Sequence, residues 1–317
     1  MKRHLRTLLR FLRRLAPFGA VVLMLALVMR YVFRDEYVWS GPLFYALPLP
    51  MHLAGWLFLA LLWWRPARRL AWLSLAGATG AAVLWAMNTT RLRGVSVAGA
   101  GDGPRVLFWN IGHVHTVPSA LHELITELKP DMIGLAEAEN LGAEGFAEIT
   151  SQHPGYQAYE SDDGVAVLVL GTVSSAAPRR LGWRTAVTVV PATFSRLPGE
   201  WKICLTDIPP LPPLPRTEYL NDIRRAAGEG PRTIIAADFN TPLDAVGFDA
   251  WRESYHHGFA DCAEFHGLLE TWCYGLPILT IDHIWMSRDY APRAARKAPR
   301  FGQDHSWLFV EWAPAAR

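Results

Sequence analysis

Residues 234–244 have the sequence IIAADFNTPLD, and this stretch decides how the second half of the chain is interpreted. Its first four residues are apolar or small and predict a short buried strand, which ends at Asp238. Asn240 follows two residues later, and the Thr241-Pro242 pair then forces a turn, because proline does not continue a strand interior. A strand end that presents a carboxylate and a carboxamide suits the activation of water and the orientation of a phosphate. A strand that runs into an ordinary Asx turn gives the same local pattern, so the neighbouring sequence has to decide.

Two earlier strands are also predicted to end in polar side chains. Residues 105–111, RVLFWNI, predict a strand with Asn110 near its end, and residues 131–136 predict a second strand followed directly by Glu137. A helix that begins at Pro118 separates them, with apolar residues at i, i+3, i+4 and i+7. Such a strand–helix–strand unit places Asn110 and Glu137 at corresponding carboxyl ends, where the sites of these sheets gather. Further strands are predicted at residues 164–171, 185–190, 201–206, 279–286 and 307–312, and a further helix at residues 217–227.

Five short motifs therefore follow one another in the second half of the chain. They are Trp109-Asn110, Leu135-Ala136-Glu137, Asp238-Phe239-Asn240, Ile281-Asp282-His283-Ile284 and Asp304-His305-Ser306. In order and rough spacing the series resembles that of the endonuclease/exonuclease/phosphatase superfamily, over about residues 105–312. The resemblance implies an α+β fold in which two β-sheets form a sandwich flanked by helices. It also implies metal-assisted hydrolysis of phosphoester bonds.

The resemblance further implies a metal site built from oxygen ligands. Glu137 would be the principal ligand of Mg²⁺ or Mn²⁺, with Asn110 close by and Asp304 as a further carboxylate on the metal side. Glu139 competes with Glu137 for this position, and the two apolar residues and one small residue directly before Glu137 favour Glu137. The residue types agree with this role, because hard divalent cations prefer oxygen ligands.

Four residues would carry the reaction by the same resemblance. Asp238 would orient or deprotonate the attacking water, and Asn240 would hold phosphate or water. His305 would stabilise charge at the phosphorus centre, steered by Asp282. The residue types again agree, because an imidazole held by a carboxylate is a suitable acid–base or charge partner. His283, beside Asp282, is predicted to be structural.

The chain departs from the superfamily pattern at two places. Many members have a histidine after a central strand, in an Asn-x-His type motif that touches the phosphate. Here the corresponding residues 205–209 read LTDIP and contain no histidine. Where some relatives have an acidic residue two positions after the first asparagine, this chain has Gly112. Arg216, after a proline-rich loop, and His113 or His115 are candidates to bind substrate in place of the missing histidine.

The first 93 residues differ sharply from the rest in charge. They contain 13 Lys/Arg and 2 Asp/Glu, a net charge of +11, whereas residues 94–317 contain 18 Lys/Arg and 27 Asp/Glu, a net charge of −9. We expect a membrane domain at residues 1–93, a glycine-rich linker at residues 94–104 and a catalytic domain at residues 105–317. The acidic catalytic domain disfavours nucleic acid as a partner, because proteins that bind it normally present a basic surface.

Three apolar segments predict three transmembrane helices within the basic part of the chain. They lie at residues 15–33, 41–64 and 70–90, and a bilayer span needs roughly 20 residues. A cleavable signal peptide is the alternative for the first segment, because its start is basic. Lys and Arg are concentrated before the first segment and between the second and third, so the N-terminus is predicted to be cytoplasmic. Three crossings would then place the catalytic domain outside the cytoplasm.

Two further features stay open at the level of the sequence. Cys262 and Cys273 would be free to pair outside the cytoplasm, but their spacing alone does not show a disulfide. Five basic residues between the last two motifs predict a solvated loop, with a rim that attracts phosphate or anionic lipid headgroups as the alternative. They are Arg288, Arg293, Arg296, Lys297 and Arg300.

The sequence thus predicts a membrane-anchored, extracytoplasmic, Mg²⁺-dependent hydrolase of phosphoester bonds. Its substrate would be a phosphate or diphosphate near the membrane, including a lipid-linked one, because a short linker holds the catalytic domain close to the bilayer. An extracytoplasmic nuclease is one alternative. A non-catalytic binding or sensing protein on a decayed phosphoesterase fold is the other, favoured by the missing histidine. It is disfavoured because the chain retains the whole set Glu137, Asp238, Asn240, Asp282 and His305.

Overall fold

The chain forms two compact units in a computed structural model, which describes residues 2–89, 102–174, 177–181, 186–211, 216–299 and 302–316. The first unit contains residues 2–89, and the second contains the described residues from Asp102 onward. Most of the predicted linker, at residues 94–101, lies outside the described residues, as do residues 212–215 of the proline-rich loop and Arg300.

The N-terminal unit is entirely helical where it is described. Its helices are α1 (Lys2–Val28), continued by a π-helical turn (Met29–Phe33), α2 (Gly41–Ala46), α3 (Leu49–Trp63) and α4 (Arg68–Thr89). Two stretches, Arg3–Phe33 and Arg68–Asn88, are long and apolar enough to cross a membrane. These two stretches correspond to the first and third predicted spans.

The second predicted span is not one continuous helix. Helix α2 ends at Ala46, α3 begins at Leu49, and Leu47 between them leaves the helical conformation with φ −122° and ψ 68°. Pro48 is the reason, because the residue before a proline is disfavoured in the α region. With 15 residues, α3 is about 22 Å long, shorter than a hydrocarbon core of roughly 30 Å. The prediction of three full-length spanning helices is therefore not confirmed, and two helices meet the requirement.

The α2–α3 segment nevertheless runs back along α1. Near the start of α1, Arg13 Nε donates a hydrogen bond to Leu62 O close to the end of α3, at 3.0 Å. Beyond the other end of α1, Arg30 Nη1 donates to Phe44 O in α2, at 3.2 Å. The two segments are therefore antiparallel, and α2 and α3 together accompany α1 over the whole length between these contacts.

Helix α4 reverses the direction once more. It packs closely on α3 at Gly77, where a Cβ would lie 2.8 Å from the ring of Trp56. Near its C-terminal end, Asn88 Nδ2 donates to the hydroxyl of Tyr31, at 3.1 Å. The end of α4 therefore lies at the same end of the unit as the end of α1, opposite to the N-terminal turns of α1.

The second unit combines twelve strands with short helices in its described residues. The strands are β1 (Arg105–Asn110), β2 (Met132–Ala136), β3 (Tyr156–Glu160), β4 (Ala166–Val173), β5 (Ala177–Arg180), β6 (Ala186–Phe194), β7 (Glu200–Asp207), β8 (Thr233–Asp238), β9 (Tyr255–His257), β10 (Asp282–Ser287), β11 (Tyr290–Ala298) and β12 (Trp307–Pro314). The α-helices are α5 (Ser119–Leu128), α6 (Gly142–Gln152), α7 (Arg216–Ala227) and α8 (Trp251–Ser254). A 3₁₀ turn lies at Val246–Phe248.

The strands follow the order β11-β12-β1-β2-β4-β6-β7-β8-β10-β9, with β3 beside β4 and β5 beside β6. The pairs β1–β2 and β7–β8 are parallel, and the other neighbours are antiparallel. Strand β4 belongs to two layers, since its first half pairs with β2 and its last residues pair with β6. Gly171 permits this crossing, because a Cβ there would lie 2.0 Å from Thr193 O.

The main core lies between the two layers. Val106 and Phe108 of the first layer cluster with Leu205, Ile234 and Ile284 of the second, and all five are buried. Side chains alternate along a strand, so every second residue of each layer faces this core. The predicted α+β class, with a mixed sheet and flanking helices, is confirmed.

A second core covers the outer face of the first layer. Leu107 and Trp109, which alternate with the sandwich residues of β1, pack with Leu121 and Leu124 of α5 and with Phe146 of α6. Both faces of β1 are thus covered, which explains why its sequence is apolar throughout rather than alternating.

The predicted solvated loop of basic residues is largely a strand. Arg293, Arg296 and Lys297 lie on β11, where Arg293 Nη2 pairs with Glu311 at 2.9 Å. The ammonium group of Lys297 donates to Glu270 O. The prediction of a loop is wrong because β11 pairs with β12 along its length. Arg288 and Arg296 are nevertheless exposed, as the prediction of solvated side chains expects. The three cysteines are free thiols, so Cys262 and Cys273 are not joined.

An ion pair between Asp131 and Arg196 connects three segments of the second unit. Asp131, directly before β2, accepts hydrogen bonds from Arg196 Nε (2.7 Å), Arg196 Nη2 (2.6 Å) and the backbone N–H of Arg105 (2.8 Å). Arg196 Nη2 also donates to Gly103 O at 2.7 Å. Asp131 is buried, whereas Arg196 is partly exposed, and the guanidinium compensates the charge of the buried carboxylate.

We expect Arg196→Met to lower the free energy of unfolding by about 3 kcal/mol, because Asp131 then remains as a buried charge without its cation. The double variant Arg196→Met/Asp131→Asn should recover part of this loss, since the uncompensated charge is gone. Urea unfolding of the full chain in detergent, followed by tryptophan fluorescence, measures both. Equal losses in the single and the double variant would contradict the explanation by an unpaired charge.

Candidate active site

Three aspartates lie in one row at an edge of the second layer. The parallel strands β7 and β8 pair Asp207 with Asp238, and the antiparallel strand β10 pairs Asp282 with Asp238. Directly opposed residues of neighbouring strands project from the same face. Asp238 and Asp282 are buried, and Asp207 is half-buried. The strand register therefore brings together three carboxylates that are far apart in sequence.

Asn110 links this row to the first layer. It is the last residue of β1 and is fully buried. Its Nδ2 donates to Glu137 Oε1 at 3.1 Å and to Asp238 Oδ2 at 3.0 Å, while its Oδ1 accepts from the N–H of Gly112 at 3.0 Å. One neutral amide thus bridges two carboxylates from different layers, and its orientation is fixed by Gly112.

The backbone is strained at several residues of this edge. Glu137 has φ 53°, His113 has φ 56° and Asn240 has φ 46°, all in the left-handed region that non-glycine residues rarely adopt. Asparagine tolerates this region, but glutamate does so only when its surroundings impose it. The N–H of His113 donates to Glu137 O at 3.0 Å and helps to hold this conformation. Strain of this kind concentrates at functional sites.

Asn240 is oriented by its neighbours on both strands. Its backbone N–H donates to Asp238 Oδ1 at 2.8 Å, which is an Asx turn, and its Nδ2 donates to Ile208 O at 2.8 Å. The local turn that the sequence alone permits is therefore present, and it serves to fix Asp238 and Asn240 relative to each other.

His305 is held by Asp282 in the buried part of the site. Its Nδ1 lies 2.9 Å from Asp282 Oδ2 and 3.1 Å from Oδ1, and its Nε2 lies 3.7 Å from Asp238 Oδ2 and 3.9 Å from Asp304 Oδ2. Burial opposes protonation of the imidazole, but the charge and hydrogen bonds of Asp282, together with Asp238 and Asp304, outweigh it and raise the pKa of His305 to about 10. His305 is therefore a buried cation at neutral pH.

Negative charge nevertheless remains in excess. Burial, followed by the charges of Asp282 and Asp207, raises the pKa of Asp238 well above its usual range. Burial, followed by the charge of Glu137, raises the pKa of Asp207 to about 7, with a smaller contribution from Asp282. Carboxylates that are crowded in this way are stabilised by a nearby positive charge.

Ligand atoms of Asp238, Asp282 and His305 lie within 4.8 Å of one another, close enough to share a metal ion. The salt bridge between His305 and Asp282 already accounts for part of this closeness, and a protonated imidazole does not ligate a metal. The half-buried carboxylates of Glu137 and Asp207, near Asp238, offer oxygen ligands alone. This donor set fits a hard divalent cation better than the histidine-containing group does.

Asp304 lies near Nε2 of His305, as Asp238 does. Its Oδ2 accepts a hydrogen bond from Trp272 Nε1 at 3.2 Å, and its backbone carbonyl accepts from the N–H of Tyr274 at 2.9 Å. It is half-buried, and its Oδ2 lies 3.9 Å from His305 Nε2. These contacts place Asp304 beside His305.

The two candidate replacements for the missing histidine lie in different places. His113 Nε2 is 3.1 Å from Glu137 Oε2, and His113 Nδ1 contacts Glu139. His113 thus contacts the expected metal ligand rather than open space for a phosphate. Arg216 is buried at the start of α7, where its Nη2 donates to Leu211 O at 3.2 Å.

Asp207 is the site residue that the sequence analysis missed. The available signal was that it ends a strand, as Asp238 does one strand further on. The absence of a histidine in residues 205–209 was noted, but the aspartate that occupies the strand end was not considered. Only the parallel register of β7 and β8 shows that this aspartate faces the site.

Hydrogen bonds through two uncharged histidines support the turn after Asp238. His257 Nδ1 accepts from the N–H groups of Phe259 and Ala260, which leaves Nε2 as the donor to His283 Nδ1 at 3.0 Å. His283 Nε2 then donates to Thr241 O at 2.9 Å. Burial lowers the pKa of His283 to about 4, so this chain is uncharged. These contacts give His283 a structural role within the fold.

The described geometry can be compared with known proteins. A family model described as the endonuclease/exonuclease/phosphatase family matches residues 107–305. Three solved structures share the fold with a TM-score of 0.54 each. No curated protein sequence matches the chain.

The first of these structures is a mannosyl-6-phosphatase of Bacteroides thetaiotaomicron, with 14% identity over 67% of this chain and 100% of that one. The second is the human Nocturnin catalytic domain with a bound sulfate, with 16% identity over 69% of this chain and 97% of that one. The third is a humanized TDP2 of D. rerio, with 14% identity over 66% and 98% of the two chains. At these identities the structures establish the fold alone. The family model covers more than half of the chain and ends at His305, the buried cation of the site, and on this basis the chain belongs to the endonuclease/exonuclease/phosphatase family.

Proposed function

We propose that this chain is a divalent-metal-dependent hydrolase of phosphoester bonds, anchored in a membrane, with its catalytic unit outside the cytoplasm. Its substrate is a phosphate or diphosphate close to the bilayer. The observation that carries the proposal is the buried network in which His305 pairs with Asp282 while Asn110 joins Asp238 to Glu137. A cationic donor, a buried base and a half-buried oxygen ligand within one site are what hydrolysis of a phosphoester needs.

Mg²⁺ or Mn²⁺ would be held by Glu137 and Asp207, near Asn110 and Asp238. When bound, such an ion neutralises phosphate oxygens and lowers the pKa of water. Asp304, expected from the sequence as a metal ligand, is assigned by its contacts to the His305 side of the site. Its role there is to help keep His305 protonated.

The remaining catalytic roles belong to Asp238, Asn240 and His305. Asp238 is the base that takes a proton from the attacking water, and its raised pKa suits that task. Asn240, whose amide is oriented by Ile208 O, holds the water or a phosphate oxygen. His305 faces the substrate with Nε2, because Asp282 occupies Nδ1, and it stabilises negative charge that develops on the phosphoryl group.

The N-terminal unit supports a location at a membrane. Three antiparallel segments accompany one another, and the end of α4 lies at the end opposite to the basic N-terminal turns. If the unit crosses a bilayer along its length, the catalytic unit therefore emerges on the side opposite to the N-terminus. Two crossings instead of three would leave it in the cytoplasm. The antiparallel course of α2 and α3 along α1 favours three.

A nuclease is the second function that the family permits. The net charge of −9 in residues 94–317 argues against it, because a polyanion is repelled by an acidic surface. The side chain that contacts both Asp282 and Asp238 is an imidazole, that of His305. A small or lipid-linked phosphate is therefore favoured over a polynucleotide.

We expect Glu137→Gln to lower kcat/KM by roughly a hundredfold or more, and chelation of divalent ions to abolish turnover of the unchanged protein, because Glu137 is assigned to the metal. Full-length protein in detergent is assayed on a phosphodiester, a phosphomonoester and a polyprenyl diphosphate, with Mg²⁺ and with chelator. Glu139→Gln is the matched control, since Glu139 is exposed, lies two residues further on and contacts His113. A larger loss in the Glu139 variant would show that the assignment is wrong.

His305→Gln and Asp282→Asn should each reduce kcat by roughly 10² to 10⁴, and the double variant should be no slower than the worse single variant. The reason is that Asp282 acts through His305, so removal of either group removes the same function. Steady-state kinetics with saturating Mg²⁺ measures this. Multiplicative losses in the double variant would mean that the two side chains act independently.

The topology is tested by insertion of a reporter phosphatase that is active only outside the cytoplasm. Insertions in the α1–α2 loop near Val38 and after Asp102 should be active, and an insertion at Pro66 between α3 and α4 should be inactive. A cytoplasmic reporter at the same positions should give the reverse pattern. Activity of the cytoplasmic reporter after Asp102 would place the catalytic unit inside the cell.

A further inference from the structure

Large apolar side chains are exposed at one place in the catalytic unit. Among the described residues from Asp102 onward, the large hydrophobic residues that are exposed are Leu268, Tyr274 and Leu276, at 37%, 69% and 61%. All three belong to a single segment of nine residues. Every other exposed large hydrophobic residue in the described chain lies in the N-terminal helical unit. We call residues 268–279 the apolar rim.

The sequence of the rim is unusual for a surface loop. Residues 271–281 read TWCYGLPILTI and contain no charged residue. Trp272, Ile278 and Leu279 belong to the same segment and are half-buried. Surface loops normally carry charged and polar residues, and a contiguous exposed apolar patch marks a binding surface.

The rim is hydrogen-bonded directly to the catalytic residues. Trp272 Nε1 donates to Asp304 Oδ2 at 3.2 Å, and the N–H of Tyr274 donates to Asp304 O at 2.9 Å. Trp272 also forms an isolated antiparallel bridge with His305. A molecule whose phosphate reaches His305 therefore has the rest of its structure within reach of the rim.

The rim is also held firmly at its base. The hydroxyl of Thr271 accepts hydrogen bonds from the N–H groups of Ile281 and Asp282, both at 3.1 Å. The N–H of Ser306 donates to Thr271 O at 2.8 Å, and Leu276 and Cys273 exchange backbone hydrogen bonds. The exposed apolar side chains therefore project from a fixed backbone that is fastened to the strand of Asp282.

We propose that the apolar rim binds the hydrocarbon chain of the substrate, so that the enzyme acts on phosphoesters with an alkyl or polyprenyl group. This inference rests on the proposed phosphoester hydrolysis and names its substrate class. Glu270 is the charged residue of the rim and is buried, so the exposed part of the rim offers no charge to a sugar phosphate or a nucleotide. An aliphatic chain, in contrast, gains free energy by leaving water. Because Trp272 of the rim contacts Asp304 and His305, a molecule bound to the rim lies at the catalytic site rather than at a separate interface.

The test compares two phosphodiesters that differ only in their chain, p-nitrophenyl methyl phosphate and p-nitrophenyl hexyl phosphate. Release of p-nitrophenol by the full-length protein in nanodiscs gives kcat/KM for each. A fully buried methylene changes affinity by about fourfold, so partial burial of five additional methylenes should raise kcat/KM at least tenfold for the hexyl ester. In the double variant Leu268→Ser/Leu276→Ser, the hexyl-to-methyl ratio should fall below about threefold.

The matched control is Val173→Ser, a half-exposed apolar residue in the half of β4 that pairs with β6, away from the β2 pairing next to Glu137. It should keep the wild-type ratio. A ratio that is near one in the wild type, or unchanged in the Leu268/Leu276 variant, overturns the inference while the proposed hydrolysis stands. The ratio cancels any general effect of the variants on the reaction itself.

If neither diester is hydrolysed, the protein is not a phosphodiesterase for these substrates, and the rim is tested by binding; the proposed function fails only if the phosphomonoester and the polyprenyl diphosphate are not hydrolysed either. Calorimetric titration of the full-length protein with hexyl phosphate and methyl phosphate, in the presence of Mg²⁺, then measures the preference for the chain. Binding of hexyl phosphate that is at least tenfold tighter, and weakened in the Leu268/Leu276 variant, supports the rim as a hydrocarbon site. Equal affinities for the two phosphates overturn it.

Discussion

The crowding of negative charge at one edge of the β-sandwich is the constraint on which the rest of the catalytic unit depends. Five carboxylates converge there, those of Glu137, Asp207, Asp238, Asp282 and Asp304. Buried carboxylates are stable only with cations or hydrogen-bond donors nearby. The described structure supplies the cation His305 within the buried part of the site, the bridging amide of Asn110 and the imidazole of His113 beside Glu137. A divalent ion would add positive charge among the remaining carboxylates. The same imbalance that makes the site costly to fold makes it suitable for phosphoryl chemistry.

The scaffold around this edge is built to hold charged groups without adding further charges. The His257–His283 pair supports the turn at Thr241 in neutral form, and Thr271 holds the start of β10 with a hydroxyl. The strained backbone at Glu137 is fixed by main-chain hydrogen bonds. Neutral supports of this kind add no charge to the site, so the charged groups at the edge itself set the field that a substrate and the proposed metal ion would meet.

Among the described residues, large exposed hydrophobic side chains lie in two places, the N-terminal unit and the apolar rim. The N-terminal unit exposes hydrophobic residues along α1, α3 and α4, as a unit in contact with lipid does, and its charge is strongly positive. The catalytic unit exposes them only at the apolar rim among its described residues, beside Asp304 and His305. The proposed membrane anchor and the proposed hydrocarbon-binding rim would together suit a substrate that is itself held in the bilayer.

The sequence by itself indicated the strands that end at Asn110, just before Glu137 and at Asp238, because apolar runs and polar strand ends are local properties. It placed Asp282 inside a strand at residues 279–286, whereas β10 begins at Asp282. It also determined the apolar character of α1 and α4. Tertiary structure alone decided that Asp207 joins the site, since only the register of β7 against β8 aligns it with Asp238. It also decided that Asp304 faces His305 and Trp272, and that Pro48 divides the second apolar segment. Register and side-chain neighbours depend on contacts between residues that are distant in the chain, and no local pattern in one sequence records them.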